Sequence, residues 1–143
     1  MTTINKQALV PYTPQQMFAL VEDVGAYPEF LPWCKDARIL QRQGEQVQAS
    51  ITLARSGLEK TFTTRNSLKQ DESIEMHLLK GPFSHLYGLW RFQALGDAGC
   101  KVTLEMDFEI SNKLLRMTLG PVFTGILDSL VDAFITRAQS LYG

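Results

Sequence analysis

The stretch Tyr27-Pro28-Glu29-Phe30-Leu31-Pro32-Trp33-Cys34 places four large apolar side chains around two prolines. Proline fixes φ and disfavours the α conformation of the residue before it, so Tyr27 and Leu31 are predicted to be extended. The side chains of Phe30, Leu31 and Trp33 are then presented together, and another part of the fold must bury them. Two interpretations stay open: the segment is static core beneath a sheet, or it forms the mouth of an apolar ligand cavity.

Length and composition predict one domain over residues 1–143. The chain has 143 residues, of which 45% are hydrophobic, enough to bury a substantial core. Its formal net charge of -1 gives no general attraction for polyanions. Nucleic-acid binding would therefore need a local basic patch, for which Lys35, Arg38 and Arg42 are the candidates. Opposite charges are interleaved with these residues, so a solvated face is the alternative.

The cysteines and the N-terminus favour a soluble cytoplasmic protein. Cys34 and Cys100 are far apart and match no metal-ligand spacing, so neither a disulfide framework nor a zinc site is predicted. The first residues lack the apolar core of a signal peptide and the arginines of a transit peptide. Asp128 and Asp132 interrupt the longest apolar run, which leaves no stretch of roughly 20 residues to span a bilayer.

The N-terminal third predicts one strand and two short helices. Residues 2–10 read as a strand, although the alternation of apolar and polar residues is poor. Thr13 and Gln16 form a capping box that begins a helix. Gly25 is suited to end that helix in a left-handed conformation, and Pro28 is suited to open a second short helical turn.

From about residue 35 to residue 110 the apolar residues alternate with polar ones, which predicts six antiparallel strands. The breaks between strands fall at Gly44, Ser56-Gly57, Asp71, Gly81-Pro82 and Gly96-Asp97-Ala98-Gly99. Each strand then has one apolar inward face.

Gly120-Pro121 is predicted to open the longest helix, of roughly 21 residues and about 30 Å. The whole plan is an α+β helix-grip fold: a curved seven-stranded antiparallel sheet wraps a long C-terminal helix, with two short helices after the first strand. Such a sheet offers more concave apolar surface than one helix covers. The side chains between them either line a cavity or simply fill the space.

The candidate cavity residues come from residues 27–34, which we call the entrance segment, from the inward strand faces and from the apolar face of the last helix. They are Phe30, Leu31, Trp33, Phe62, Met76, Leu78, Trp90, Phe92, Met106, Phe108, Phe123, Leu127, Leu130 and Phe134.

One run carries a family resemblance: Gln-Met-Phe-x-Leu-Val-x-Asp-Val-x-x-Tyr-Pro-Glu-Phe-Leu-Pro-Trp-Cys, over residues 16–34. It resembles the coenzyme-Q-binding, START-like family of the polyketide cyclase/dehydrase-like superfamily, which includes bacterial ribosome association toxins. The similarity continues through Gly81-Pro82-Phe83 and residues 133–138, and so covers nearly the whole chain. The resemblance implies the helix-grip fold, an apolar cavity suited to isoprenoid quinones or similar lipids, and no catalytic cofactor.

The same resemblance implies two functions. Mitochondrial members support respiration by binding ubiquinone, whereas a bacterial branch is assigned as a toxin that binds the large ribosomal subunit, blocks subunit association and pairs with an antitoxin. The chain resembles the bacterial branch in its compact length and in showing no transit segment. We take binding of ubiquinone or a related isoprenoid lipid as the first interpretation, the ribosome toxin as the second, and a cyclase-like enzyme as the third.

The residues predict no catalytic site. His77 lies in the outward phase of its strand and His85 follows a turn, and neither has the spacing of a triad or a metal site. Thr64 and Asn66 share the inward phase of Phe62. They either bond backbone at the sheet edge or meet the polar head of a quinone, whose carbonyls need donors when taken out of water.

Overall fold

The computed structural model describes the whole chain, Met1 to Gly143. Its elements, in chain order, are β1 (Thr2–Val10), α1 (Pro14–Glu22), a 3₁₀ helix (Val24–Glu29), β2 (Cys34–Gln43), β3 (Gln46–Arg55), β4 (Leu58–Lys69), β5 (Ser73–Lys80), β6 (Phe83–Leu95), β7 (Gly99–Ile110) and α2 (Lys113–Tyr142).

The seven strands form one antiparallel sheet in the order β1-β7-β6-β5-β4-β3-β2. Six strands follow one another as a meander, and β1 pairs with β7, so the first strand is added at the end of the sheet opposite β2. The predicted fold class is confirmed. Inward residues of β7 show the expected alternation, because Val102, Leu104, Met106, Phe108 and Ile110 are all buried.

The predicted strand breaks coincide with backbone that glycine adopts readily. Gly44, Gly57 and Gly96 have φ values of 62°, 80° and 66°, and Asp71 has 61°. Residues other than glycine enter this region at a cost, so turn chemistry in the sequence placed these hairpins well.

Helix α1 begins as predicted and ends earlier. The Thr13 hydroxyl accepts from the Gln16 backbone at 3.1 Å, and the Gln16 side chain accepts from the Thr13 backbone at 2.9 Å. The prediction that Gly25 ends this helix in a left-handed conformation is wrong, because α1 ends at Glu22 and Gly25 lies within the 3₁₀ helix. One residue, Asp23, separates the two helices, and its N–H still bonds Ala19.

The proline rule fails at Tyr27, which lies inside the 3₁₀ helix and is not extended. The helix begins at Val24, so Pro28 lies within it and does not open it. Packing outweighs the local preference: the buried Tyr27 ring lies edge-on to Phe134 at 5.4 Å between centroids, and the Tyr27 hydroxyl donates to the carbonyl oxygen of Val21.

Helix α2 begins eight residues before Pro121, so the predicted start at Gly120-Pro121 is wrong. The Asn112 side chain caps it by accepting from the Leu115 backbone at 3.0 Å. Leu115 and Leu119 extend the inward face of Phe123 by two turns, which offsets the helix hydrogen bond that proline cannot donate. With 30 residues, the helix is about 45 Å long.

By length and composition α2 is apolar enough to cross a membrane. In this fold its apolar face is buried against the sheet, as a core helix. The buried side chains are Leu119, Phe123, Ile126, Leu127, Leu130, Val131, Phe134 and Ala138.

Candidate functional site

A cavity of about 70 Å³ lies between the concave face of the sheet and α2, and 14 of its 16 lining residues are hydrophobic. Nine were predicted: Trp33, Phe62, Met76, Trp90, Met106, Phe123, Leu127, Leu130 and Phe134. The volume is below the roughly 300 Å³ usual for pockets that hold a drug-sized ligand. A bulky ligand would therefore need the walls to move.

Five of the predicted residues do not line the cavity, and seven others do. Phe30, Leu31, Leu78, Phe92 and Phe108 lie outside it. The additional residues are Val24, Tyr27, Ile51, Thr64, Asn66, Leu86 and Ile126. The inward phase of β4 had already placed Thr64 and Asn66 toward the interior, and the inward phase of β3 and β6 could have indicated Ile51 and Leu86. Val24 and Tyr27 depend on the 3₁₀ helix, which begins four residues before the predicted start at Pro28.

Two methionines form an adjustable part of the wall. A Cβ atom at Gly88 would lie 2.5 Å from Cε of Met76 and 2.9 Å from Cε of Met106, so the glycine makes room for both thioethers. Unbranched Met side chains repack at low cost. This wall can therefore expand or contract without a shift of the sheet backbone.

Thr64 and Asn66 are the buried polar residues of the fold, and both line the cavity. The Thr64 hydroxyl donates to Oδ1 of Asn66 at 2.8 Å. Their side chains thus bond each other rather than edge backbone. The Asn66 amide nitrogen makes no hydrogen bond within the protein, which leaves one N–H₂ donor group for a ligand oxygen in a largely apolar chamber.

The entrance segment, residues 27–34, is both core and wall. Tyr27 and Trp33 line the cavity, while Leu31 is buried away from it. The Phe30 ring packs edge-on against Phe134 at 5.3 Å between centroids, and the Arg137 guanidinium lies 5.0 Å from the Phe30 centroid. Helix α2 therefore holds this segment from one side through aromatic and cation–π contacts.

Both cysteines are buried and hard to ionise. Burial and, secondarily, Asp36 raise the pKa of the Cys34 thiol to about 11, and burial raises the pKa of the Cys100 thiol to about 11. Since the thiolate is the reactive form, each thiol should react slowly at neutral pH. Cys34 ends the entrance segment and Cys100 lies in β7, so the pair reports on two regions.

We expect Cys34 to react faster than Cys100 with an aromatic disulfide reagent if the entrance segment opens. Burial raises the pKa of both thiols, so faster labelling of Cys34 would indicate better access and not a more acidic thiol. Both rates should rise with pH above pH 7, because the thiolate fraction grows about tenfold per unit while the pH stays below the pKa. The measurement is the labelling rate of the Cys34→Ser and Cys100→Ser variants. Equal rates would show that the entrance segment opens no more readily than the sheet.

The candidate basic residues do not form an unopposed patch. Lys35 pairs with Glu59 at 2.7 Å. Arg38 pairs with Asp36 at 2.7 Å and Arg42 with Glu22 at 3.4 Å. The three cations are thus each accompanied by a carboxylate, which weakens their attraction for phosphate.

His77 lies on the outer face of the sheet, as its strand phase predicted. Its Nε2 is 2.9 Å from Oε1 of Glu75, and the Tyr87 hydroxyl donates to Oε2 of Glu75 at 2.7 Å. Hydrogen bonds from His77 and Tyr87 hold the pKa of the Glu75 carboxyl below its usual value, and the bond to Glu75 raises the pKa of Tyr87 to about 12. This cluster is separated from the cavity by the sheet.

A model of the family described as polyketide cyclase / dehydrase and lipid transport matches residues 10–135. The chain belongs to this family. Over 142 residues it is 46% identical to the ribosome association toxin RatA of Pseudomonas aeruginosa, covering 99% of both chains. It is 26% identical to the mitochondrial coenzyme Q-binding protein coq10 of Schizosaccharomyces pombe, covering 92% of this chain and 83% of that protein.

Solved structures share the fold at low sequence identity. The Zhui aromatase/cyclase of Streptomyces aligns with a TM-score of 0.86 at 18% identity, over 96% of this chain and 93% of that one. At this identity the likeness shows the fold alone. Members with this fold thus include named enzymes as well as named toxins and quinone binders, and fold does not decide between them.

Proposed function

We propose that this chain binds an apolar ligand with an oxygen-bearing head, of the isoprenoid quinone class, without catalysing a reaction. The observation that carries the proposal is the cavity that combines 14 hydrophobic residues with the Thr64–Asn66 pair. The apolar wall suits an isoprenoid tail, and the Asn66 amide suits a ring carbonyl.

The absence of charged groups at the cavity supports binding over catalysis. No carboxylate, imidazole or thiol lines it, and the one lining phenol, Tyr27, donates to the Val21 carbonyl. Burial raises the pKa of Tyr27, which keeps it protonated. A cyclase would need a proton donor or acceptor within reach of its substrate.

We expect Gly88→Ala to weaken quinone binding about tenfold or more with little loss of stability. The added Cβ would push the ends of Met76 and Met106 into the cavity, and such flexible ends move cheaply. Titration with decylubiquinone and thermal unfolding measure the two effects. Gly25→Ala is the matched control, because its Cβ would meet nothing within 4 Å. Unchanged affinity in Gly88→Ala would contradict the assignment of this cavity as the ligand site.

We propose interference with the association of ribosomal subunits, in the cytoplasm, as the cellular role. The chain is 46% identical, over 99% of both chains, to a protein named ribosome association toxin. This similarity favours the ribosomal role. The more distant quinone-binding relative shares 26%. Support of respiration was the first interpretation of the sequence, and the relatives favour the reverse order. An antitoxin partner stays a proposal.

We expect the chain to sediment with large ribosomal subunits, and the salt dependence tests the predicted patch. Phosphate contacts release counterions, so binding through free cations falls steeply as salt rises. Because Lys35, Arg38 and Arg42 are paired with carboxylates, we expect Arg38→Ala to change the salt dependence little. No sedimentation at any salt concentration would contradict the cellular role. A clear loss of ribosome binding in Arg38→Ala would support the predicted basic patch of Lys35, Arg38 and Arg42.

A further inference from the structure

Two large apolar side chains stand exposed on the first turns of α2. Leu114 is 77% exposed and Met117 is 73% exposed, and they share one helix face because they lie three residues apart. Leu115 and Leu119 on the opposite face pack into the core. The start of α2 therefore carries an apolar surface that the fold does not use.

The stretch of sequence around these two side chains carries positive charge only. No Asp or Glu occurs from Ile110 to Leu127, and Lys113 and Arg116 flank the exposed pair. Neither cation forms an ion pair within the chain. This differs from Lys35, Arg38 and Arg42, each of which is paired.

The end of β5 adds a third free cation. The Ser111 N–H donates to the Pro82 carbonyl at 3.3 Å, which brings the turn after β5 beside the start of α2. Lys80 precedes this turn and is exposed. We call the combined surface the α2 entry patch; its members are Lys80, Lys113, Leu114, Arg116 and Met117.

The α2 entry patch lies at one end of the cavity. Phe123, which lines the cavity, follows Met117 by six residues on the same helix. A Cβ at Gly81, next to Lys80, would lie 2.7 Å from Cβ of Phe62, another lining residue. A ligand held between Phe62 and Phe123 is therefore close to this surface.

We infer that the α2 entry patch docks the protein on a bilayer that contains anionic lipids. Leu114 and Met117 enter the headgroup boundary, and Lys80, Lys113 and Arg116 lie against lipid phosphates. An RNA surface would use the cations and leave the exposed apolar pair without a role. The inference rests on the proposed ligand class, because an isoprenoid quinone dissolves in membranes and has to be collected there.

Vesicle sedimentation tests the docking directly. We expect the protein to bind vesicles of phosphatidylcholine mixed with phosphatidylglycerol, and phosphatidylcholine alone only weakly. Lys113→Glu should weaken binding about fivefold or more, since one cation near an anionic surface contributes about that factor. The double variant Leu114→Ser/Met117→Ser should lose binding at every salt concentration.

The chain offers a matched control on the outer face of the sheet. Leu9 is 72% exposed and lies opposite Lys101 in the β1–β7 ladder, and Lys101 forms no ion pair either. Leu9→Ser and Lys101→Glu should leave vesicle binding unchanged. Equal losses in the patch and control variants would overturn the inference, because any exposed leucine and lysine would then suffice.

Two further readouts separate this inference from the proposed function. Decylubiquinone titration of Leu114→Ser/Met117→Ser should give wild-type affinity, which places the defect in docking and not in the cavity. Vesicle binding by a wild-type protein that ignores decylubiquinone would support docking and overturn the ligand class alone. No vesicle binding, together with loss of ribosome sedimentation in the double variant, would assign the patch to the ribosome and overturn docking.

Discussion

Leu127→Lys is expected to abolish ligand binding and to lower the free energy of unfolding by about 3–5 kcal/mol, as for a buried charge left without a partner. Leu127 is 2% exposed and lines the cavity. No carboxylate lines this cavity, so an ammonium group there would have no partner. Chemical denaturation and decylubiquinone titration measure the two losses. Leu127→Met, a change of similar volume, should cost less than about 1.5 kcal/mol and retain binding.

The stability loss in Leu127→Lys should depend on pH in a stated direction. Burial lowers the pKa of the introduced amine in the folded state, while the unfolded chain keeps a pKa near the ordinary value of about 10.4. The unfolded state therefore binds more protons, and the stability of the variant rises relative to wild type as pH rises toward that value. A stability difference that stays constant with pH would show that the amine reaches solvent and that the helix face is wrongly assigned.

Phe134→Ala is expected to lower the free energy of unfolding by about 3–5 kcal/mol and to loosen the entrance segment. Phe134 is 1% exposed and meets Tyr27, Phe30 and Trp90 at centroid distances of 5.4, 5.3 and 5.3 Å. Removing the ring deletes the aromatic contacts by which α2 holds residues 27–34 and leaves only the Arg137 contacts to Phe30 and Glu29. Hydrogen exchange should then be faster at residues 26–34 than global destabilisation explains.

Phe123→Ala is the matched control for this prediction. Phe123 is also an aromatic hub of α2, but its partners are Phe62, Phe83 and Phe108 at the other end of the cavity. A similar global cost is expected, with no selective effect on residues 26–34. If both variants accelerate exchange in that segment equally, the segment is held by the whole core and not by Phe134.

Strand periodicity and the residues at the turns were enough to predict most of the fold from the sequence. The alternation from Val102 to Ile110 and the glycines of the hairpins act locally, so they can be read from neighbouring residues. Errors arose where tertiary contacts outweigh a local rule. Tyr27 is helical before a proline because its hydroxyl is bonded to Val21, and α2 continues through Pro121 because Leu115 and Leu119 have core to pack against.

The candidate site was predictable in part for the same reason. Inward phase identifies which residues of a strand face the helix, and four of the cavity residues followed from it: Phe62, Met76, Trp90 and Met106. Phase does not say how far along the strand the helix leaves a gap, so Phe92 and Phe108 were included although they are packed core. The pairing of Lys35, Arg38 and Arg42 with carboxylates also depends on neighbours across strands and helices.

The central claim, that the cavity binds an isoprenoid quinone, is tested most directly by tryptophan fluorescence during titration with decylubiquinone. The chain has two tryptophans, Trp33 and Trp90, and both line the cavity. An electron-accepting quinone ring held there should quench the emission of both in a saturable manner, with weaker affinity in Gly88→Ala and unchanged affinity in Gly25→Ala. Quenching that is linear in quinone concentration and identical in all three proteins would mean collision in solution and would contradict the claim.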